Sequence, residues 1–186
     1  MELDIKYLSF IIVLVFCLAS CISNDPEDSR QEVQFFDLIG FFSQESSELI
    51  PGKYAKTVSV SGNSETSDVE VSNITSDLSG FQLFDINKRA WKDKYEVDST
   101  FNQDGTLDNI IYTTEDEKLK TKHLKIEYKN GKPQIIEASN IVNNILYTSE
   151  QNLKYQSGKG FFLETTQDVV LFSKKDARIQ VSFPGQ

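Results

Sequence analysis

The chain has 186 residues, a formal net charge of −9 and a 25% share of charged residues. About 150 residues bury roughly 70% of their unfolded surface, enough for one self-sufficient core. The acidic balance argues against nucleic acid, whose phosphates attract Lys and Arg, and it gives the body no attraction to anionic headgroups.

Taken in order, the first seven residues are a short segment carrying Glu2, Asp4 and Lys6, and Leu8 to Leu18 is apolar except for Ser9. That length fits a signal-peptide core of about 7–15 residues and falls short of the roughly 20 that span a bilayer. Lys6 is the positive charge before it, beside Glu2 and Asp4. The run ends in Leu18-Ala19-Ser20-Cys21, which resembles the lipobox of bacterial lipoproteins. The resemblance implies that Leu18, Ala19 and Ser20 are read by the signal peptidase, with residues 1–20 as the leader. It also implies that the Cys21 thiolate takes a diacylglyceryl group and becomes the acylated first residue, carrying palmitate-type chains. At about 0.8 kcal/mol per buried CH₂, two or three such chains anchor stably where one does not. The alternatives are an ordinary cleaved secretory leader with Cys21 incidental, or an uncleaved membrane anchor. With Cys17 lost and Cys21 lipidated, no thiol remains for disulfides, metal or catalysis.

Residues 21–30 read as an acidic tether and 31–186 as a single globular β-rich domain. Ile22 to Asp28 resembles the export signals of surface lipoproteins in Bacteroidota; a solvated linker is the plainer reading. Ser29 and Glu32 have capping-box spacing. Phe35, Leu38, Ile39 and Phe42 follow at helical spacing, and Pro51-Gly52 is a stop. The spacing predicts a helix from about Glu32 to about Glu48.

From Tyr54 the period becomes two. Val58 and Val60, then Val69 and Val71, predict a hairpin around Gly62-Asn63 with one wet face. Asn73-Ile74-Thr75 is a sequon that carries little weight in a bacterial lipoprotein. Ser76 to Ile86 predicts a short second helix bearing Leu78, Phe81 and Phe84, weakened by Gly80 at about 1 kcal/mol relative to Ala. Trp91, the only tryptophan, reads as a core plug or a ligand platform.

The remainder predicts strands. Tyr95, Val97 and Phe101 alternate, Asp104-Gly105 turns, and Leu107, Ile110 and Tyr112 return. Thr100 to Ile111 fails as a calcium-binding EF-hand loop, because its first and last positions lack carboxylates. Thr114 to Lys122 is a charged connection, and Leu124, Ile126 and Tyr128 form a strand. Asn130-Gly131 is a strong hairpin signal before Ile135 and Ile136. Ile145–Thr148, Leu153–Tyr155, Phe161–Thr165, Val169–Phe172 and Arg178–Phe183 complete the set. The expected fold is α+β and mainly β: a curved antiparallel meander of about 7–9 strands, with the N-terminal helix and a short second helix packed on one face.

Phe35-Phe36-Asp37-Leu38, Asp85 to Trp91 and Leu146-Tyr147-Thr148-Ser149-Glu150 resemble blocks of an uncharacterised Bacteroidota lipoprotein family, which implies no activity. The expected architecture is also similar to lipoprotein-carrier half-barrels of the LolA/LolB type, by analogy of form alone.

Recognisable chemistry is sparse. His123 is the only histidine, with Lys120 and Lys122 beside it. A metal site needs a ligand cluster, and no His/Cys cluster is present. No Gly-x-Ser-x-Gly elbow or Gly-rich phosphate loop exists, so no cofactor is expected. Asp98-Ser99-Thr100 fits a loose Bacteroidota O-glycosylation pattern. The leading expectation is a non-enzymatic, lipid-anchored accessory or binding protein of the cell envelope, most simply at the outer membrane. Its partners would be the membrane, through Cys21, and an apolar small ligand or an envelope protein. A carrier or sensor of lipid would show a partly empty cavity lined by Phe35, Phe42, Phe81 and Trp91. A glycan hydrolase would show two carboxyl groups about 5–9.5 Å apart across a cleft.

Overall fold

The structure is a computed structural model that describes residues 34–184. The leader, the Leu18–Cys21 box, the tether and the Ser29–Glu32 capping box lie outside the described residues.

Mainly-β architecture is what the alternating sequence forms. Nine strands make one curved antiparallel sheet: β1 (Lys53–Val60), β2 (Asn63–Glu70), β3 (Glu96–Phe101), β4 (Leu107–Thr113), β5 (Thr121–Lys129), β6 (Lys132–Asn143), β7 (Tyr147–Gln156), β8 (Gly160–Val169) and β9 (Lys175–Ser182). Their order is β2-β1-β9-β8-β7-β6-β5-β4-β3. Strands β3 to β9 are a meander. The β1–β2 hairpin does not continue it from the front; β1 adds to the far edge through β9, with Val58 opposite Ile179. Asn130 and Gly131 both have positive φ, 53° and 73°, the geometry a tight two-residue turn requires.

Helices α1 (Leu38–Glu48) and α2 (Val71–Gly80), with a 3₁₀ turn at Phe81–Phe84, lie on one face of the sheet. The core is the seam between them. Leu38, Phe42, Ile74, Leu78, Phe81 and Phe84 come from the helical layer; Tyr54, Leu124, Ile126, Ile136, Leu153, Tyr155, Phe161 and Val181 come from alternate strand positions. The register shifts at Thr100/Phe101, Thr121/His123 and Glu127/Tyr128; the bulge between Thr121 and His123 lets Thr121 share the covered face with Leu124. A Lys56–Asp77 ion pair at 2.7 Å ties α2 to β1.

Four sequence expectations shift. The first helix starts at Leu38, not near Glu32. Asp37 caps it by accepting the Gly40 N–H at 2.8 Å, and Phe35 and Phe36 spend their backbone groups elsewhere. The second helix occupies Val71–Gly80 instead of Ser76–Ile86, so Val71 leaves the strand pattern to start it; Phe81 onward tightens into the 3₁₀ turn. The segments expected at Ile145–Thr148 and Leu153–Tyr155 fuse into β7, which excludes Ile145 and Leu146. Strand β8 ends at Val169, so Val170, Leu171 and Phe172 form a turn.

Candidate functional site

The four aromatics expected around one cavity fall into two packed groups. Phe35 meets Tyr95 and Tyr112 edge-on, with centroids at 5.7 and 5.4 Å. Trp91 leans on Tyr95 at 6.5 Å and carries the Lys88 ammonium 4.1 Å above its ring. Phe42 instead meets Phe81 at 5.2 Å and Tyr155 at 5.1 Å, and Phe81 meets Phe161 at 5.0 Å. Edge-to-face geometry of this kind fills space between helix and sheet. Phe35 and Trp91 therefore plug the β3–β4 side, while Phe42 and Phe81 plug the centre.

The opening lies one layer out, between the helices. A groove of about 410 Å³ runs between α1 and α2, lined by Ile39, Phe42, Ser43, Ser46, Ser47, Thr75, Leu78, Ser79 and Gln82. Of the four expected aromatics, Phe42 alone lines it. Helical spacing explains the lining: Ile39, Phe42, Ser43 and Ser46 recur at three and four residues on α1, and Thr75, Leu78 and Ser79 do so on α2. Phe42 and Leu78 form a buried floor; exposed Ile39 and the hydroxyls form the rim. Ser47, Thr75 and Ser79 donate back to the Gln44, Val71 and Ser76 carbonyls at 2.7, 3.1 and 2.8 Å. No lining side chain is charged. A smaller hollow of about 210 Å³ is lined by Asp77, Phe81, Leu83, Phe161, Leu163 and Ile179, among others.

His123 sits on β5, on the sheet face opposite Leu124, in a shallow hollow shared with Glu137, Asn152, Lys154 and Phe162. Burial holds its pKa below the ordinary value, against the pull of Glu137. Glu137 is held by Lys154 at 2.7 Å and sits below its ordinary range for that reason. Among the described residues, no group of three His, Cys, Asp or Glu side chains could hold a metal ion.

Among the described residues, Asp85 is the buried carboxylate. Burial raises its pKa, with Asp37 adding to the effect and Asn87 opposing it. Its oxygens accept from the Asn87 backbone N–H at 3.1 Å and side chain at 3.3 Å. It lines neither groove nor hollow described above, and its visible work is to orient Asn87. Asn87 went unnoticed in the sequence as a functional position; its place inside the Asp85–Trp91 block was the available signal.

Asp98, Ser99 and Thr100 are exposed on edge strand β3. Cys21, Leu18, Ala19 and Ser20 lie outside the described residues. No helix among the described residues is long and apolar enough to cross a membrane. No family model, curated protein or solved structure matches the chain.

Proposed function

We propose that the chain is a lipid-anchored, non-enzymatic binding protein of the bacterial cell envelope, seated at the outer membrane, that takes a small neutral ligand of largely hydrocarbon character. The observation that carries the binding reading is the uncharged groove between α1 and α2. Its volume lies in the range of small-molecule sites, and an apolar floor with a few polar groups on the rim is how such sites combine affinity with orientation. Serine and threonine hydroxyls still accept hydrogen bonds after donating to backbone, so the rim suits a hydroxyl or amide head on an apolar body. The anchor reading is supported by the Leu8–Leu18 run and the Leu18-Ala19-Ser20-Cys21 box. The Bacteroidota resemblance rests on its sequence blocks alone.

Native mass spectrometry of the full chain purified from a bacterial membrane tests the reading. The expected result is a co-purifying small apolar species that disappears in Thr75→Trp, which fills the groove from its exposed rim. A ligand-free spectrum from the wild-type chain, or the same species on both chains, overturns it.

A further inference from the structure

The ends of the sheet differ in kind. The β3–β4, β5–β6 and β7–β8 turns (Asn102–Thr106, Asn130-Gly131 and Ser157–Lys159) share one end and are polar throughout. At the opposite end, beside the polar β1–β2 turn (Ser61-Gly62) and the charged β4–β5 connection (Thr114–Lys120), the β6–β7 and β8–β9 turns are apolar and adjacent. Ile145 and Leu146 are 91% and 67% exposed, and Val170, Leu171 and Phe172 are 59%, 95% and 72% exposed. Five large apolar side chains standing together in water are a surface that needs a partner.

The turns are built to present them. Asn144 Oδ1 accepts the Leu146 and Tyr147 N–H groups at 2.9 and 3.1 Å, and the Asn144 N–H donates to the Tyr147 carbonyl at 3.0 Å. The Val170 N–H reaches across to the Leu146 carbonyl at 3.0 Å and locks the two turns together; the Phe172 N–H closes on Val169 at 2.9 Å. Leu171 is held at φ 78°, a region a residue with a Cβ enters only at a cost. The fold thus pays to aim a leucine outward while pairing these backbone donors, and a paired backbone is what entry into a water-poor layer requires.

We infer that the Ile145-Leu146 and Val170-Leu171-Phe172 turns form a membrane-contacting tip that inserts into the interfacial layer of the bilayer and orients the domain on its surface. Two further observations select lipid over a protein partner. Lys174 and Lys175 follow the apolar residues after Ser173, the order in which interfacial segments place hydrocarbon below phosphate and ammonium beside it. The described chain also begins at this end: the Gln34 side-chain amide donates to the Lys92 carbonyl at 2.9 Å. The neighbouring Lys94 pairs with Asp116 at 3.2 Å, in the connection leading into β5 whose Lys120 carbonyl accepts the Ile141 N–H. Twelve residues separate Cys21 from Gln34. At about 3.3–3.6 Å per extended residue they reach no farther than roughly 45 Å. The tip rests on the lipid-anchor reading for its concentration at the membrane: acyl chains supply attachment and the tip supplies orientation.

The test uses the full chain, made in a bacterial host and reconstituted in vesicles of phosphatidylethanolamine and phosphatidylglycerol. An environment-sensitive fluorophore is placed at Leu171→Cys, at Ile145→Cys and, on the polar end, at Lys132→Cys. The wild-type chain carried through the same labelling reports any reaction at Cys21, and intact mass reports its acylation. The expected result is blue-shifted emission at 171 and 145, quenched by doxyl lipids, with no change at 132. An unshifted signal at 171 and 145 overturns the tip, whether Cys21 is acylated or not. A blue shift already present before vesicles are added also overturns it, because a second copy or another protein then covers the turns. A vesicle-dependent shift on a chain without acyl groups keeps the tip and removes the anchor.

Discussion

The side-chain carboxamide of Asn87 holds the backbone of Phe35 as a neighbouring strand would. Its Oδ1 accepts the Phe35 N–H at 2.9 Å and the Gln34 N–H at 3.2 Å, and its Nδ2 donates to the Phe36 carbonyl at 2.8 Å. Tyr112 Oη accepts the Phe36 N–H at 3.2 Å. Two sequence blocks some fifty residues apart, Phe35–Leu38 and Asp85–Trp91, are joined by this one side chain. It fixes the strip of chain that leads into α1, and with it one wall of the groove.

Asn87→Ala removes these three hydrogen bonds and the one its Nδ2 gives Asp85 Oδ1 at 3.3 Å, and leaves part-buried backbone groups unpaired, a loss of about 2–3 kcal/mol. Denaturant unfolding with an unchanged slope measures it. The loss is expected to grow with pH. Burial already raises the Asp85 pKa, and the Asn87 side chain opposes that rise together with the residue 87 backbone N–H and Lys88, which the variant keeps. A raised folded pKa gives a contribution present at low pH and lost as pH climbs through the folded value. Removing Asn87 raises the value further and deepens the loss from about pH 4 upward. A pH-independent effect contradicts this account.

Tyr155 Oη donates to Glu45 at 2.5 Å, and Ser157 Oγ donates to the same carboxylate at 3.0 Å, pinning the far end of α1 to β7. Tyr155→Phe is expected to cost about 1.5–3 kcal/mol, as for a hydrogen bond to a charged acceptor. Burial, reinforced by Glu45, pushes the Tyr155 pKa up; burial also raises Tyr95, Tyr112 and Tyr128. The unfolded chain ionises these groups near pH 10 while the folded chain keeps them protonated. Stability should therefore fall as pH rises past about 10, and less steeply in Tyr155→Phe. Identical alkaline slopes for the two proteins would refute the assignment.

Gly160 opens β8 at φ 131°, and a Cβ there would fall on the Val181 carbonyl oxygen. Gly160→Ala should cost about 2–3 kcal/mol through strain and overpacking between β8 and β9. Gly105→Ala, with nothing within 4 Å of an added Cβ but φ 81°, isolates the backbone part. Equal melting temperatures for the two variants would deny the contact with Val181.

Leu171 packs on nothing that its removal would expose. Leu171→Asn, which tolerates the left-handed region, should stabilise the domain by about 1 kcal/mol. For a domain of this size that is a rise of about 2–4 °C in Tm. A fall in Tm would mean that the leucine serves the fold after all.

Cys21→Ala tests the anchor directly. The expected outcome is accumulation of unprocessed chain that takes up no fatty-acid probe. Normal processing of the variant removes the lipobox assignment.

Local rules carried much of the fold. Alternation of Leu124 and Ile126, and of Ile179 and Val181, decided which side chains face the helices, because a strand turns successive residues to opposite faces. Asn130-Gly131 announced its hairpin because few residues reach positive φ cheaply. The pairing of β1 with β9 was illegible, since partners more than a hundred residues apart leave no mark on their own neighbourhoods. Val71 reads equally well as strand or helix; packing of Ile74 and Leu78 into the core chose helix. Phe35, Phe42, Phe81 and Trp91 announced burial but not company. Ile145, Leu146, Leu171 and Phe172 look like strand interior to any local rule. Only the closed hydrogen-bond pattern of two neighbouring turns left them without a layer to pack on and put them at the end of the sheet, facing out.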